Sequence, residues 1–329
     1  MHIPDGLLSP PVAIACAALS AGAVAGAAAK IGARKNARAI ARTGVTAAFV
    51  FAAQMLSFPV AGGTSGHLIG GVLAAVLLGP SSAVLAMTAV LVLQCLAFGD
   101  GGLLSLGANV LNMAVVHPLV GFAAYRVVAG RARNTPLGQS RRIAAVAFGS
   151  WLATVVAAAT CAGELTLSRI VAPAAALPAM LGVHAVVGLG EALISAFVLA
   201  TVIRLRPEML VRSGRADLPR APFSASLAMG LATSLSLALF VSPFACTWPD
   251  GLERVVEHLG IQPSAASFTF ASPLRGYAVP WISGAVPSAA AAAAFGTLLV
   301  FGLCVGVGLC LAPGRRPPPA RGLPPPPPP

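Results

Sequence analysis

Charged side chains make up only 9% of the 329 residues, against about 25% in a soluble domain. With 57% hydrophobic residues and a mean hydropathy of +0.87, that shortage points to an all-α polytopic membrane protein. Lysine occurs twice, at Lys30 and Lys35, behind Ala29 and Arg34. A P-loop needs Gly-Lys-Ser/Thr, so this chain does not hold ATP phosphates in that way. There is no H-E-x-x-H, no G-x-S-x-G and no aspartate pair within the apolar runs. A membrane metalloenzyme would need a general base beside its metal, and the sequence offers none near His67. Of the six cysteines, Cys16, Cys95, Cys161, Cys304 and Cys310 lie in apolar runs and Cys246 does not; no C-x-x-C pair exists. Small-residue packing suits them better than a disulfide framework or a zinc site. Finally, no Lys or Arg precedes Lys30. A secretory signal carries positive charge before its apolar stretch, so residues 1–29 are expected to form an uncleaved first span.

Apolar runs of about spanning length fall near 11–29, 44–61, 66–79, 81–98, 108–127, 143–162, 175–203, 224–243 and 288–312. The third is short and glycine-rich, which predicts a helix tucked into protein rather than facing lipid. If the chain starts outside, the loops 30–42, 126–142 and 204–222 and the tail 313–329 are cytoplasmic and hold 18 of the 21 basic residues. Such asymmetry follows the positive-inside rule. The net charge of +12 is then a topology device and a rim for anionic lipid, not a nucleic-acid patch. Alanines at 13, 17, 21, 25 and 29 would allow close helix packing in lipid, although an alanine-rich chain produces such ladders by chance. The proline-rich tail after Pro317 carries no inferable chemistry.

The opening Met1-His2-Ile3-Pro4-Asp5-Gly6 carries the most chemistry. A free Met1 amine, the His2 amide and the nearer His2 ring nitrogen can close two fused chelate rings in one plane. Tetragonal nitrogen ligation suits Ni(II) or Cu(II), with Co(II) weaker. At the end of the second run, Phe58 to His67 is rich in glycine, and unwound backbone of this kind is kept where it lines a protein cavity. His67 is thus a candidate fourth nitrogen at the same face, or else a donor that stabilises its own loop. Asp100 lies in another loop on that side. Asn109 and Asn112, one turn apart, read as buried polar groups that orient the opening segment or act as glue between helices. His117 is deeper and reads as structural. His184 and Glu191 share one face of the seventh run; structural or coupling roles are expected over ligation, because Glu191 lies toward the cytoplasmic end. A proton relay is the alternative. After residue 222 the composition resets into two runs joined by a long loop. Within it, Pro249-Asp250-Gly251-Leu252-Glu253 reads as a turn into a short helix. His258 with Glu253 or Glu257 reads as a solvated helix face rather than a metal site.

The segments Met1–Gly6, Gly63–Gly71, Asn109–Val116 and His184–Ile194 resemble the substrate-specificity subunit of cobalt/nickel energy-coupling-factor transporters, the CbiM/NikM family. Pro249–Glu253 and Tyr277–Pro280 resemble that system's small accessory membrane subunit, so the chain looks like a fusion of the two. The resemblance implies a seven-helix metal-binding domain at 1–205, a basic linker at 206–222 and a two-helix accessory module at 223–312. It further implies insertion of the N-terminus into the bundle and binding of Co(II) or Ni(II) by Met1, His2 and His67, with no permanent cofactor. A transmembrane coupling subunit and ABC ATPases are the implied partners, in the cell membrane of a bacterium or archaeon, with the N-terminus outside and the C-terminus cytoplasmic. The residue-level alternative is a proton-coupled secondary metal transporter using His184 and Glu191.

Overall fold

The computed structural model describes residues 1–32, 37–130, 135–205, 223–262 and 270–311. The expected linker at 206–222 and the tail at 313–329 lie outside them. Up to residue 205 the described residues form seven helices. They are α1 (Pro10–Gly32), α2 (Ala37–Gln54), α3 (Gly71–Leu78), α4 (Pro80–Phe98), α5 (Leu106–Ala129), α6 (Pro136–Leu167) and α7 (Pro173–Leu205). They are followed by α8 (Phe223–Phe244), the short α9 (Gly251–His258) and α10 (Ala285–Cys310). The expected all-α polytopic architecture is therefore present. Among the described residues seven helices (α1, α4, α5, α6, α7, α8 and α10) are long and apolar enough to cross a membrane.

Two of the expected runs behave differently. The second run enters α2 seven residues earlier than its apolar stretch and leaves at Gln54, with Arg38 and Arg42 inside the helix. Phe58–Val60 (β1) and Thr64–Gly66 (β2) then form an antiparallel hairpin, closed through Gly62 and Gly63, both at positive φ. A tight turn of this kind selects glycine. The third run is only the eight-residue α3, whose residues Gly71 to Leu77 are all buried; the tucked helix was expected. The alanine ladder of α1 is not a packing seam within this chain. Ala17, Ala21, Ala25 and Ala29 are exposed, and Cys16, Ser20, Ala27 and Ile31 are buried instead.

The most extensive helix pairing is α6 against α7, and α2 is clasped by α8 and α10. That clasp depends on small residues: a side chain at Gly44 would meet Phe301 and Val305 of α10 at 3.0 Å. Close backbone approach at glycine is how helices associate where lipid removes the hydrophobic driving force. Through this contact α8 and α10 carry the segments 245–262 and 270–284 between them to the end of the bundle where the chain begins.

Candidate metal centre

The N-terminus is folded into the bundle. Met1 is 3% exposed, and Ile3 and Leu7 are fully buried. Asn109 pairs with the Ile3 backbone at two points: its Oδ1 accepts from the Ile3 N–H (2.8 Å) and its Nδ2 donates to the Ile3 carbonyl (3.1 Å). The Gly102 N–H also donates to that carbonyl. Asp5 accepts three consecutive amides, from Leu103, Leu104 and Ser105. The start of α5 and the loop before it thus form a cradle for residues 1–5, and they hold Ile3 in place immediately after His2. The His2 amide itself makes no hydrogen bond among the described residues.

This brings the expected ligands together. The Met1 amine lies 3.4 Å from His67 Nε2, and the His2 and His67 ring centroids are 5.7 Å apart with planes 21° from parallel. A metal–nitrogen bond of about 2.0 Å places cis nitrogens about 2.9 Å apart, trans nitrogens about 4 Å apart, and two ligand ring centroids within roughly 6.4 Å. Both observed separations fall inside what one ion spans. Among the described residues no three His, Cys, Asp or Glu side chains group as a metal site. A candidate donor set at this place therefore draws on the amine and amide of Met1 and His2 as well as the two rings.

His67 is set by its neighbours. Its Nδ1 donates to the Leu68 carbonyl (3.1 Å), which leaves the Nε2 lone pair toward the amine. Burial, reinforced by the positive amine and by His2, lowers its pKa from 6.5 to about 4, so the ring is neutral and ligand-competent at neutral pH. Directly after it, Glu191 accepts the Ile69 and Gly70 amides (2.5 and 2.9 Å). Glu191 thereby anchors the segment that bears His67. His117, fully buried, lies 3.7 Å from Glu191. His184 donates from Nδ1 to the Met180 carbonyl and lines a small cavity with Met1, His67, Asp250 and Gly251. Among the described residues His184 and Glu191 share no hydrogen bond or ion pair with each other. Asn112 does not reach the opening segment; it donates to Glu164, which also accepts from Cys16.

Several residues of the site carry no sequence signal. His2 Nε2 faces Gln94 Oε1 (3.3 Å), Gln94 donates to Gln54 (2.8 Å), and Gln54 donates to the Ile69 carbonyl (2.7 Å). Two glutamines thus tie the His2 ring to the segment that carries His67. On its other side His2 Nδ1 lies 3.2 Å from Asp100, which accepts from the Tyr277 hydroxyl (2.5 Å).

The Pro249–Glu253 segment also sits here. Pro249 and Trp248 carbonyls accept from Ser65 of the hairpin, and Leu252 is buried. Asp250 is the N-cap of α9 in a capping box with Glu253. Its Oδ1 accepts the Leu252 and Glu253 amides, while Oδ2 accepts from the Met1 amine at 2.5 Å. Burial alone would lower the ammonium pKa, but Asp250 outweighs it and the amine is raised above 8.0. In the reverse sense burial would raise Asp250, yet the amine and His67 hold it well below the usual carboxylate range. His258 is exposed, Glu253 is engaged in the cap, and Glu257 lies 3.7 Å from Arg254; this agrees with a solvated face.

Fold and site together define an integral membrane protein with a nitrogen-rich donor set at its folded-in N-terminus. The chain belongs to the CbiM family: the model for the cobalt uptake substrate-specific transmembrane region matches residues 2–209, and a PDGLE domain matches residues 224–313. It is 38% identical over 212 residues to a putative fused nickel transport protein NikMN of Archaeoglobus fulgidus, covering 64% of this chain and 68% of that one. It is 34% identical to a probable fused nickel transport protein LarMN of Lactiplantibacillus plantarum, covering 92% and 97%. A solved structure of a truncated transition metal transporter superposes with a TM-score of 0.55 at 33% identity, over 62% of this chain and 98% of that one.

Proposed function

We propose that this chain is the substrate-binding membrane subunit of an ATP-driven importer of Co(II) or Ni(II). The two family matches support a division into a metal-binding part at 1–205 and an accessory module at 223–312, joined by the basic segment 206–222. The observation that carries the reading is the meeting of the Met1 amine, His2 and His67 within the span of one ion. The ion binds the amine, the His2 amide and Nδ1, and His67 Nε2. Gln94 at His2 Nε2 and Asp100 at Nδ1 hold the ring from both sides in the ion-free chain, and the ion takes the place of the Nδ1 proton. Binding displaces protons from amine and amide, so affinity rises with pH. The charge asymmetry supports a site facing outside, with the C-terminus cytoplasmic. Because the chain has no P-loop, a transmembrane coupling subunit and ABC ATPases supply the energy and reorient this subunit for release.

His2→Ala, and a variant with one residue added before Met1, test this in cellular Co(II) and Ni(II) uptake. Both are expected to abolish high-affinity uptake; unimpaired uptake in either sinks the chelate. Intact mass should show a deformylated N-terminus with Met1 retained. A competition titration with the two ions decides the substrate. A proton-coupled secondary transporter finds less support, because His184 and Glu191 each bond backbone groups instead of one another.

A further inference from the structure

Two arms of the loop between α8 and α10 reach the two ends of the chelate. Asp250 contacts the Met1 amine directly. Tyr277 acts at one remove, through Asp100, on the His2 ring. Neither contact is incidental to an exposed loop. The Asp250 carboxylate is divided between two tasks, one oxygen closing the helix cap and the other facing the amine. Its backbone neighbours are tied to Ser65, two residues before His67. The Tyr277 ring stacks on Phe98 with centroids 4.7 Å apart and planes 17° from parallel. The Leu274 amide donates to the Ala97 carbonyl, and Ser272 to the Cys95 carbonyl. Both arms are therefore registered on elements that also hold the ligands.

We propose that Asp250 and Tyr277 are positioning residues for the divalent transition-metal ion, so that the accessory module completes the binding site of the metal-binding part. A chain-terminal amine has free rotors, and so does the His2 ring, which Asp100 and Gln94 hold at its two nitrogens in the ion-free chain. Fixing both in advance lowers the ordering cost of closing the chelate. Groups that orient ligands without touching the ion carry a tenfold to hundredfold share of metal affinity in well-studied sites. On binding, the ammonium gives up one proton to solvent and its nitrogen ligates the ion, which takes that proton's place, so the carboxylate keeps a cationic neighbour. The inference rests on the chelate proposed above.

The test uses the full-length chain purified in detergent, with Ni(II) as the probe. Affinity is read by competition with a chromophoric chelator, ligand identity by the d–d spectrum at saturation, and fold by thermal unfolding. Asp250→Asn keeps a competent N-cap but loses the charge. Tyr277→Phe keeps the ring stack but loses the hydroxyl. Each is expected to weaken Ni(II) binding at least tenfold, with the saturated spectrum unchanged and unfolding within a few degrees of wild type. Glu257→Gln, on the exposed face of the same helix, is expected to stay within about twofold. The proposal is overturned if either positioning variant binds as tightly as wild type or tighter. It is also overturned if affinity falls only in step with unfolding temperature, or if the saturated spectrum changes, since a changed spectrum would make the residue a ligand. Should His2→Ala itself bind Ni(II) with the wild-type spectrum, the chelate fails; should His2→Ala lose the ion while the two variants keep it, only the positioning role fails.

Discussion

Glu191 lies seven positions beyond His184 on α7 and holds two backbone amides at once, those of Ile69 and Gly70. A glutamine offers one acceptor oxygen to the same pair and turns an N–H toward the other amide. Glu191→Gln is therefore expected to lower stability by about 1.5–3 kcal/mol and to weaken Ni(II) binding several-fold by loosening the segment after His67. Thermal unfolding and a metal titration check both, and a wild-type titration would remove Glu191 from the site. The ion-free protein also has a defined pH window. With its pKa raised above 8.0, the Met1 amine contributes stability that is present below pH 8 and lost as pH climbs through its folded value. Asp250, depressed below 3.8, contributes stability above about pH 4 that is lost on further acidification. His67, lowered from 6.5 to about 4, is protonated first in the unfolded chain, so stability falls between those values as pH drops. Unfolding temperature without metal should peak between about pH 6.5 and 8; a maximum well outside that window would contradict the ammonium–carboxylate contact. Met1, His2 and His67 stand out in the sequence as candidates because chelate chemistry is local, and a glycine-flanked histidine at a run's end is conspicuous. Gln54, Gln94, Asp100 and Glu164 could not, since an amide or carboxylate says nothing of partners that only tertiary packing brings near.

At the scale of elements, α9 shows how a short helix is made to serve a site. Asp250 and Glu253 close both halves of a capping box, which satisfies amides that a helix start leaves free. Gly251 follows as the first helical residue, where alanine would ordinarily favour the helix by about 1 kcal/mol. Here an added Cβ would lie 2.8 Å from His184 Nε2 and Cε1 and 3.2 Å from Val183. The clash decides the sign: Gly251→Ala is expected to destabilise by about 1–3 kcal/mol and to weaken Ni(II) binding as Asp250 moves. Glu257→Ala, on the exposed face of the same helix, should leave both near wild type. A Gly251→Ala protein that melts and binds normally would mean that α9 shifts freely, and would undercut its fixed seat beside the amine. The turn into α9 was legible as Asp-Gly before an apolar and charged run. The hairpin was not, because Phe58-Pro59-Val60 reads as the end of an apolar helix, and Pro59 sits in a strand only because the pair is short. The alanine ladder of α1 misled for a related reason: periodicity marks a helical face but not which side the bundle covers.

Across the whole molecule, both modules meet where the chain begins. Helices α8 and α10 grip α2, and their loop closes over Met1 and His2 through Asp250 and, by way of Asp100, Tyr277. Fold class was readable from composition, since apolar runs separated by basic loops leave few architectures open. Contact between the modules was not, because nothing in a linear pattern says which loop returns to which end. The same overview bears on energy. The proposed site, two backbone and two ring nitrogens held by fixed hydrogen bonds, would bind an ion but offers no device that couples release to a gradient. Buried Glu191 and His184 are each committed to backbone groups, and no nucleotide loop exists in the sequence. Proteoliposomes containing only this chain are accordingly expected to bind about one Ni(II) per chain without accumulating it, whether ATP or a proton gradient is supplied. Adding the coupling subunit and ATPases should start ATP-dependent accumulation that a protonophore leaves intact. Accumulation by the chain without those partners, collapsing with the protonophore, would instead assign transport to an internal proton relay and would require His184 or Glu191 to exchange its backbone partner during the cycle.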